Sequence, residues 1–318
     1  MSESRQLLTD MAEGLFAELS GEELDTAWPR IAEGGFASLL VAEDRGGFGG
    51  DWGDLFAVLR LAGQHALAAP LGETIVAHRL LADAGIEAPE GPIALAVDGA
   101  RVAFGRDCAA VLTIEGGELR LYPADACRFT NGEAISGEPR DAVEFVGEPA
   151  ARASSNADLL ALGAFVRVAQ SAGALDAAFA LAIEHVNGRV QFGKPLAKFQ
   201  AVQQALAEAA EHCAAVNVAG QAAAVALDAG DAGFELAAAK LRTNLAIDVV
   251  VPVTHRMHGA IGFTMEYGLN RFTRRLMGWR SEFGNDSHWA RVLGRQVALL
   301  GGAGLWRELT ARSDRQLA

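Results

Sequence analysis

A mainly α fold with a small β domain (α+β) is what this sequence predicts, on three observations. Apolar residues recur at helical spacing through residues 1–90, short apolar runs broken by Gly, Asp and Asn follow, and long alanine-rich helical stripes fill the rest. Taken in order, residues 1–90 read as an N-terminal helical domain. Leu7, Met11, Leu15 and Phe16 form one stripe, and Leu55, Val58, Leu59 and Leu61 form another. Ser20 with Glu23 has the spacing of a capping box for the helix that carries Trp28 and Ile31. Residues 91–150 read as a small antiparallel β unit built on Ile93–Val97, Ala109–Ile114 and Glu118–Tyr122. Residues 151–318 carry stripes over Asp158–Val186, Phe199–Leu227, Gly233–Met257 and Met265 to the end, which predicts a C-terminal four-helix bundle.

Composition excludes several classes of function. A chain of 318 residues with 51% hydrophobic content can bury a sizeable core. A net charge of −13 opposes nucleic-acid binding, and the most basic segment, Arg271–Arg280, spaces its arginines as a solvated or subunit-facing helix surface. Cys108, Cys127 and Cys213 show no paired spacing, so neither a disulfide framework nor a zinc site is expected. His255 and His258 share a helix face but lack further ligands at metal spacing. The polar start, Met1–Arg5, is unlike a signal peptide, and Cys213–Leu227 is shorter than the roughly 20 residues a bilayer needs. The expectation is a soluble, cytoplasmic protein without a membrane or nucleic-acid partner. Gly46–Gly50 follows an apolar run as a phosphate loop would, yet Glu43, Asp44 and Asp51 flank it, and a glycine-permitted turn is the better account.

Two motifs carry chemistry. In the run Gly188, Arg189, Val190, Gln191, Phe192, Gly193, with Gln200 beyond it, a cation, an aromatic ring and amides gather at one helix junction. Such a set can hold a nucleotide by charge, stacking and hydrogen bonding together. The second motif is His258, Gly259, Ala260, Ile261, Gly262, Phe263, Thr264, Met265, Glu266, preceded by Arg256.

Together these motifs resemble the carboxy-terminal half of the acyl-CoA dehydrogenases, FAD enzymes that desaturate acyl-CoA thioesters between Cα and Cβ. The likeness extends forward to Trp28, Gly35 and the Glu43–Gly49 turn. Ala69, Pro70, Leu71, Gly72 and Glu73 resemble the short, partner-dependent subunits of two-gene members. The resemblance implies that Arg189, Gln191, Phe192 and Gln200, with Arg256, Gly259, Ala260 and Gly262, contact the nucleotide end of an FAD bound mainly by a neighbouring subunit. It makes Glu266, Arg274 and Arg275 structural salt-bridging residues. Ala260 stands where the family has glycine, a cost of roughly 1 kcal/mol or more if that position needs a left-handed backbone.

Desaturation needs a carboxylate within reach of Cα. The two positions that carry this base in branches of the family fall here on Phe283 and Gly163, with Glu282 as the fallback. The family's Thr-Glu…Gly-Ser-Asp loop and Trp-x-Thr segment around the flavin ring have no counterpart, for no tryptophan lies between residues 53 and 278. The resemblance therefore implies a subunit of a heteromeric (α2β2) acyl-CoA dehydrogenase acting on CoA thioesters such as those of sterol side chains. A longer paralogue would supply the base and ring pocket, and an electron-transfer acceptor would complete turnover. The alternatives are a self-sufficient homotetramer using Glu282, and a non-catalytic helical scaffold or acyl-CoA binding module.

Overall fold

The computed structural model describes residues 3–97 and 101–317. Four helices open the chain: α1 (Glu3–Glu18), α2 (Leu24–Glu33), α3 (Trp52–Gln64) and α4 (Leu71–Asp83). Phe16, Ile31, Phe36 and Leu55 are fully buried among them. The capping box of this region belongs to α3, where Asp51 and Asp54 satisfy each other's backbone amides. Ser20 does not cap α2, whose N-cap Glu23 makes no side-chain cap bond. The Ser20 hydroxyl instead donates to the His65 carbonyl at 2.8 Å, so a tertiary acceptor has taken the group that local spacing assigned to the helix. Between α2 and α3, Gly46 and Gly49 adopt positive φ in the predicted turn.

Strands occupy Ile93–Ser154. One sheet has the order β1 (Ile93–Ala96), β3 (Ala110–Glu115), β4 (Glu118–Pro123), β7 (Ala151–Ser154), and the other β2 (Val102–Ala103), β6 (Arg140–Phe145), β5 (Cys127–Thr130). The pairing is antiparallel except for β1 on β3, which run parallel with Ile93 opposite Ala110. That exception corrects the expected antiparallel unit, because alternation reports burial and not strand direction. Thr74 of α4 fastens the sheet to the helices by accepting from the Ile93 amide at 3.0 Å.

The remainder is helical. α5 (Leu159–Gly188) starts at Asp158, which accepts from the Ala161 amide, and packs between α3 and α7 (Gly233–His258). Its crossing with α3 is made by glycine. A Cβ at Gly63 would lie 1.9 Å from the Gln170 carbonyl oxygen, and one at Gly173 would lie 1.7 Å from that of Arg60. α6 (Gln200–Asp228) completes the three long helices, and a hairpin of β8 (Val190–Gln191) and β9 (Lys194–Pro195) joins it to α5. The predicted last helix is two: α8 (Leu269–Trp279) and α9 (Asp286–Leu317), the latter interrupted at Gly301. Between α8 and α9 the backbone turns through positive φ at Phe283 and Gly284.

The arginines of α8 are neither purely solvated nor left for a subunit. Arg275 pairs with Glu138 at 2.8 Å, Arg280 with Asp248 and Asp286, and Arg271 donates to Ser20. Arg274 makes only a long contact with the Met265 sulfur at 3.7 Å, and Glu266 is exposed. Among the described residues α5 alone has the length and hydropathy to cross a membrane. Since 67% of its apolar window is buried inside the bundle, it is a core helix.

Candidate functional site

Two places in the fold bear on function, one open and one filled. The open one lies where α5 and α7 end side by side. His185, one turn before the end of α5, stacks on His258, the last residue of α7, with ring centroids 4.6 Å apart. His258 Nδ1 lies 2.7 Å from the Thr254 carbonyl and must donate there, so Nε2 accepts from the Tyr267 hydroxyl at 3.1 Å. Burial, His258 and Arg189 push the His185 pKa down, which keeps its imidazole neutral. His255 bonds Thr273, and no group of three or more metal-binding side chains occurs among the described residues. The histidine pair thus locks the two motif-bearing helix ends together.

On this platform the predicted residues face outward. Arg189 follows the last residue of α5, and its carbonyl accepts from the Leu196 amide at 2.9 Å, closing the β8–β9 hairpin. Its guanidinium is exposed and makes no hydrogen bond or ion pair with the described residues, and the same holds for Arg256. Phe192 at the hairpin tip is 87% exposed and has a φ of 54°, a conformation that costs roughly 1–2 kcal/mol for a side chain of this size. Its ring meets Phe199 edge-on, and the Lys194 ammonium lies 4.3 Å above Phe199, a cation that sequence reading passed over. Gln191 and Gln200 are exposed beside them. Phe199 is the N-cap of α6 and has no side chain to cap it, which leaves the first amides of that helix open to an anion. Gly259 takes the positive φ of the second turn. Ala260 does not, so the alanine carries no left-handed penalty and the expected cost disappears.

These residues fit the nucleotide end of a flavin. Free guanidiniums suit a pyrophosphate, an exposed ring suits stacking, and the helix start suits negative charge.

The filled place is where the two base positions meet. A Cβ on Gly163 would lie 2.3 Å from Cδ1 of Phe283, so the two positions touch and the ring occupies the space. Phe283 has a φ of 51°, its carbonyl accepts from Trp289 Nε1 at 3.0 Å, and the Arg167 guanidinium lies 5.5 Å from its ring. Glu282, the fallback base, is no free carboxylate. It accepts from Arg167 at 2.7 Å, forms an ion pair with Arg140 at 2.8 Å and is 7% exposed. Burial alone would raise its pKa, but Arg167 and Arg140 outweigh it and hold the group ionised and paired, which makes it a weak proton acceptor. Arg167 also bonds Glu73 and, at 2.6 Å, Gln170. The remaining space among Leu67, Phe104, Glu73, Arg167, Trp279 and Glu282 is about 20 Å³, room for one water and far too little for a flavin ring. This space does not fit a flavin ring.

Sequence reasoning missed Arg140, Arg167 and Lys240. The available signal was a lone charge inside an apolar helical stripe, which Arg167 is between Leu159 and Leu175. Lys240 is 1% exposed and donates to Asn244 at 2.8 Å and to the carbonyls of Trp279 and Arg280, so it caps the end of α8.

Two expected results follow. Gly163→Ala should destabilise by about 1 kcal/mol or more in urea denaturation, and Phe283→Ala in the same chain should remove most of that increment. Additive losses would mean that the ring does not fill this space. Burial pushes the Lys240 ammonium down to about 7, so between about pH 7 and its unfolded value the unfolded chain binds more protons. Folding stability should therefore rise as pH increases from about 7 to 9, and Lys240→Met should flatten that slope.

Comparison with known proteins follows from this geometry. Residues 156–298 match the sequence profile described as "Acyl-CoA dehydrogenase, C-terminal domain". The chain is 26% identical to acyl-CoA dehydrogenase IpdE2 of Mycobacterium tuberculosis (strain ATCC 25618 / H37Rv), over 87% of its own length and 92% of the relative's. Its fold is similar to a chain in the crystal structure of the ChsE4–ChsE5 complex from Mycobacterium tuberculosis, with a TM-score of 0.81 and 20% identity, covering 94% and 98% of the two chains. It is also similar to the Tcur3481–Tcur3483 steroid ACAD G363A variant, with a TM-score of 0.82 and 23% identity over 93% and 98%.

Proposed function

We propose that this chain is a member of the acyl-CoA dehydrogenase family and, within it, the FAD-clamping subunit of a heteromeric acyl-CoA dehydrogenase, a reading supported by the profile match over residues 156–298 and the likeness to IpdE2. The observation that carries this reading is the contrast between the open nucleotide face and the filled interior. Arg189 and Arg256 offer unpaired charge at the end of the bundle, while the Phe283 ring fills the space at Gly163 and the Arg167 ion pairs leave about 20 Å³ around Glu282.

When bound, FAD supplies the acceptor for the two electrons released in α,β-desaturation. The part of this chain is to hold its dinucleotide end. Arg189 sets its guanidinium toward the pyrophosphate, Arg256 and Lys194 add positive potential, Phe192 presents its face for stacking, and Gln191 and Gln200 offer amides. Gly259 and Gly262 let the backbone of the second turn come close. The carboxylate that takes the Cα proton, and the pocket around the reactive ring, come from a longer paralogue. CoA thioesters of bulky, sterol-like acyl groups are the substrate class, in keeping with the likeness to a steroid ACAD.

The chain purified alone should be colourless, and co-expression with the longer paralogue should give a yellow, active complex with one FAD per heterodimer. Two FAD per heterodimer, or a yellow and active lone chain, would overturn the assignment. A complex that stays colourless with such a paralogue would leave a scaffold.

A further inference from the structure

We propose that a cavity adjoining the filled place across Phe104 and Pro139 binds a small amphiphilic zwitterion, carrying an ammonium at one end and a carboxylate at the other. The cavity holds about 550 Å³ between the start of α2, the β-unit segments around Phe104 and Ser136–Pro139, and one face of α8. This volume is that of a small-molecule site.

Its charges are sorted by wall. Arg271, Arg274 and Arg275 come from α8, whereas Glu22, Glu23, Asp25 and Asp107 come from the other side. Glu138 neutralises Arg275, and Arg271 donates only to the neutral Ser20 hydroxyl. Among the described residues Arg274 has no carboxylate partner and reaches only the Met265 sulfur. Leu24, Ala68, Phe104 and Met265 supply apolar lining.

On each wall one group is shifted against its charge, chiefly by burial. Burial and Arg275 lower the pKa of Arg271, while burial raises that of Asp107, with Asp141 and Asp25 adding to the shift against Arg106. An anion at the α8 wall and a cation at the acidic wall relieve both sets of like-charge repulsion together. A polyanion such as a coenzyme A ester would meet the four carboxylates, so this chemistry differs from the thioester substrate of the proposed reaction. A ligand with one charge satisfies only one wall.

The test is isothermal titration calorimetry on the full chain, with straight-chain ω-amino acids from β-alanine to ω-aminodecanoate and the alkanoate and alkylamine of matching length. At least one amino acid should bind saturably and tenfold or more tighter than both singly charged analogues. Arg274→Gln and Asp107→Asn should each abolish that preference while circular dichroism stays native. Absence of saturable binding across the series, equal binding of an alkanoate or alkylamine, or binding that ignores both substitutions would overturn the proposal. These heats involve no flavin, so the result is independent of the fate of the FAD-clamp reading.

Discussion

Replacing Arg167 with methionine is expected to destabilise the fold by about 3–5 kcal/mol, the cost of breaking a buried ion pair by removing one partner. Arg167 is 3% exposed and bonds Glu73, Gln170 and Glu282 at once. Burial works against its charge, yet the two carboxylates outweigh burial and raise its pKa, so the guanidinium stays ionised. Without it, Glu73 is left buried with its second oxygen already unpartnered, and Glu282 keeps Arg140 alone. Since a domain has about 5–15 kcal/mol of stability in total, the variant should show a large fall in its urea midpoint. A double change, Arg167→Met with Glu73→Gln, should recover part of the loss because it removes one stranded charge. A single variant as stable as the parent would mean that water, and not Arg167, holds these carboxylates.

That network also marks what the sequence could and could not reveal. Arg189, Gln191, Phe192 and Gln200 were legible because one short hairpin carries them, so spacing along the chain is nearly spacing in space. Glu73, Arg140, Arg167, Lys240 and Glu282 lie on five different segments and meet only through tertiary packing. Spacing along the chain carries no trace of such a meeting. The empty base positions were visible as Phe283 and Gly163, but their direct contact was not. The helical stripes gave the bundle correctly in outline, since burial on α6 and α7 follows the helical period, while α5 is buried all round from Ala161 to Leu175 and periodic only beyond. The break between α8 and α9 escaped because its cause is partly remote: Lys240 of α7 donates to the carbonyls that a continuous helix would have used. Ser20 was misread for a similar reason, its hydroxyl being taken by His65 from the far end of α3.

In the proposed complex with a longer paralogue, Arg189→Gln is expected to weaken FAD binding by about ten- to a hundredfold, the equivalent of one hydrogen bond to a charged group. The guanidinium is free in this chain, so its removal breaks no internal pair and the fold should be unaffected. That separates a binding loss from a stability loss, which substitution of a paired arginine could not do. Arg189→Lys should recover little, because a single ammonium cannot make the bidentate contact that a planar guanidinium makes with a pyrophosphate. Phe192→Ala should cost less than Arg189→Gln, since an 87% exposed ring contributes stacking without charge. Raising the salt concentration should narrow the gap between parent and Arg189→Gln and leave the Phe192→Ala difference nearly unchanged. Flavin fluorescence on dilution of the complex reads all four outcomes. Unchanged flavin affinity in Arg189→Gln, with the complex intact, would remove this face from the cofactor site and with it the division of labour between the two chains.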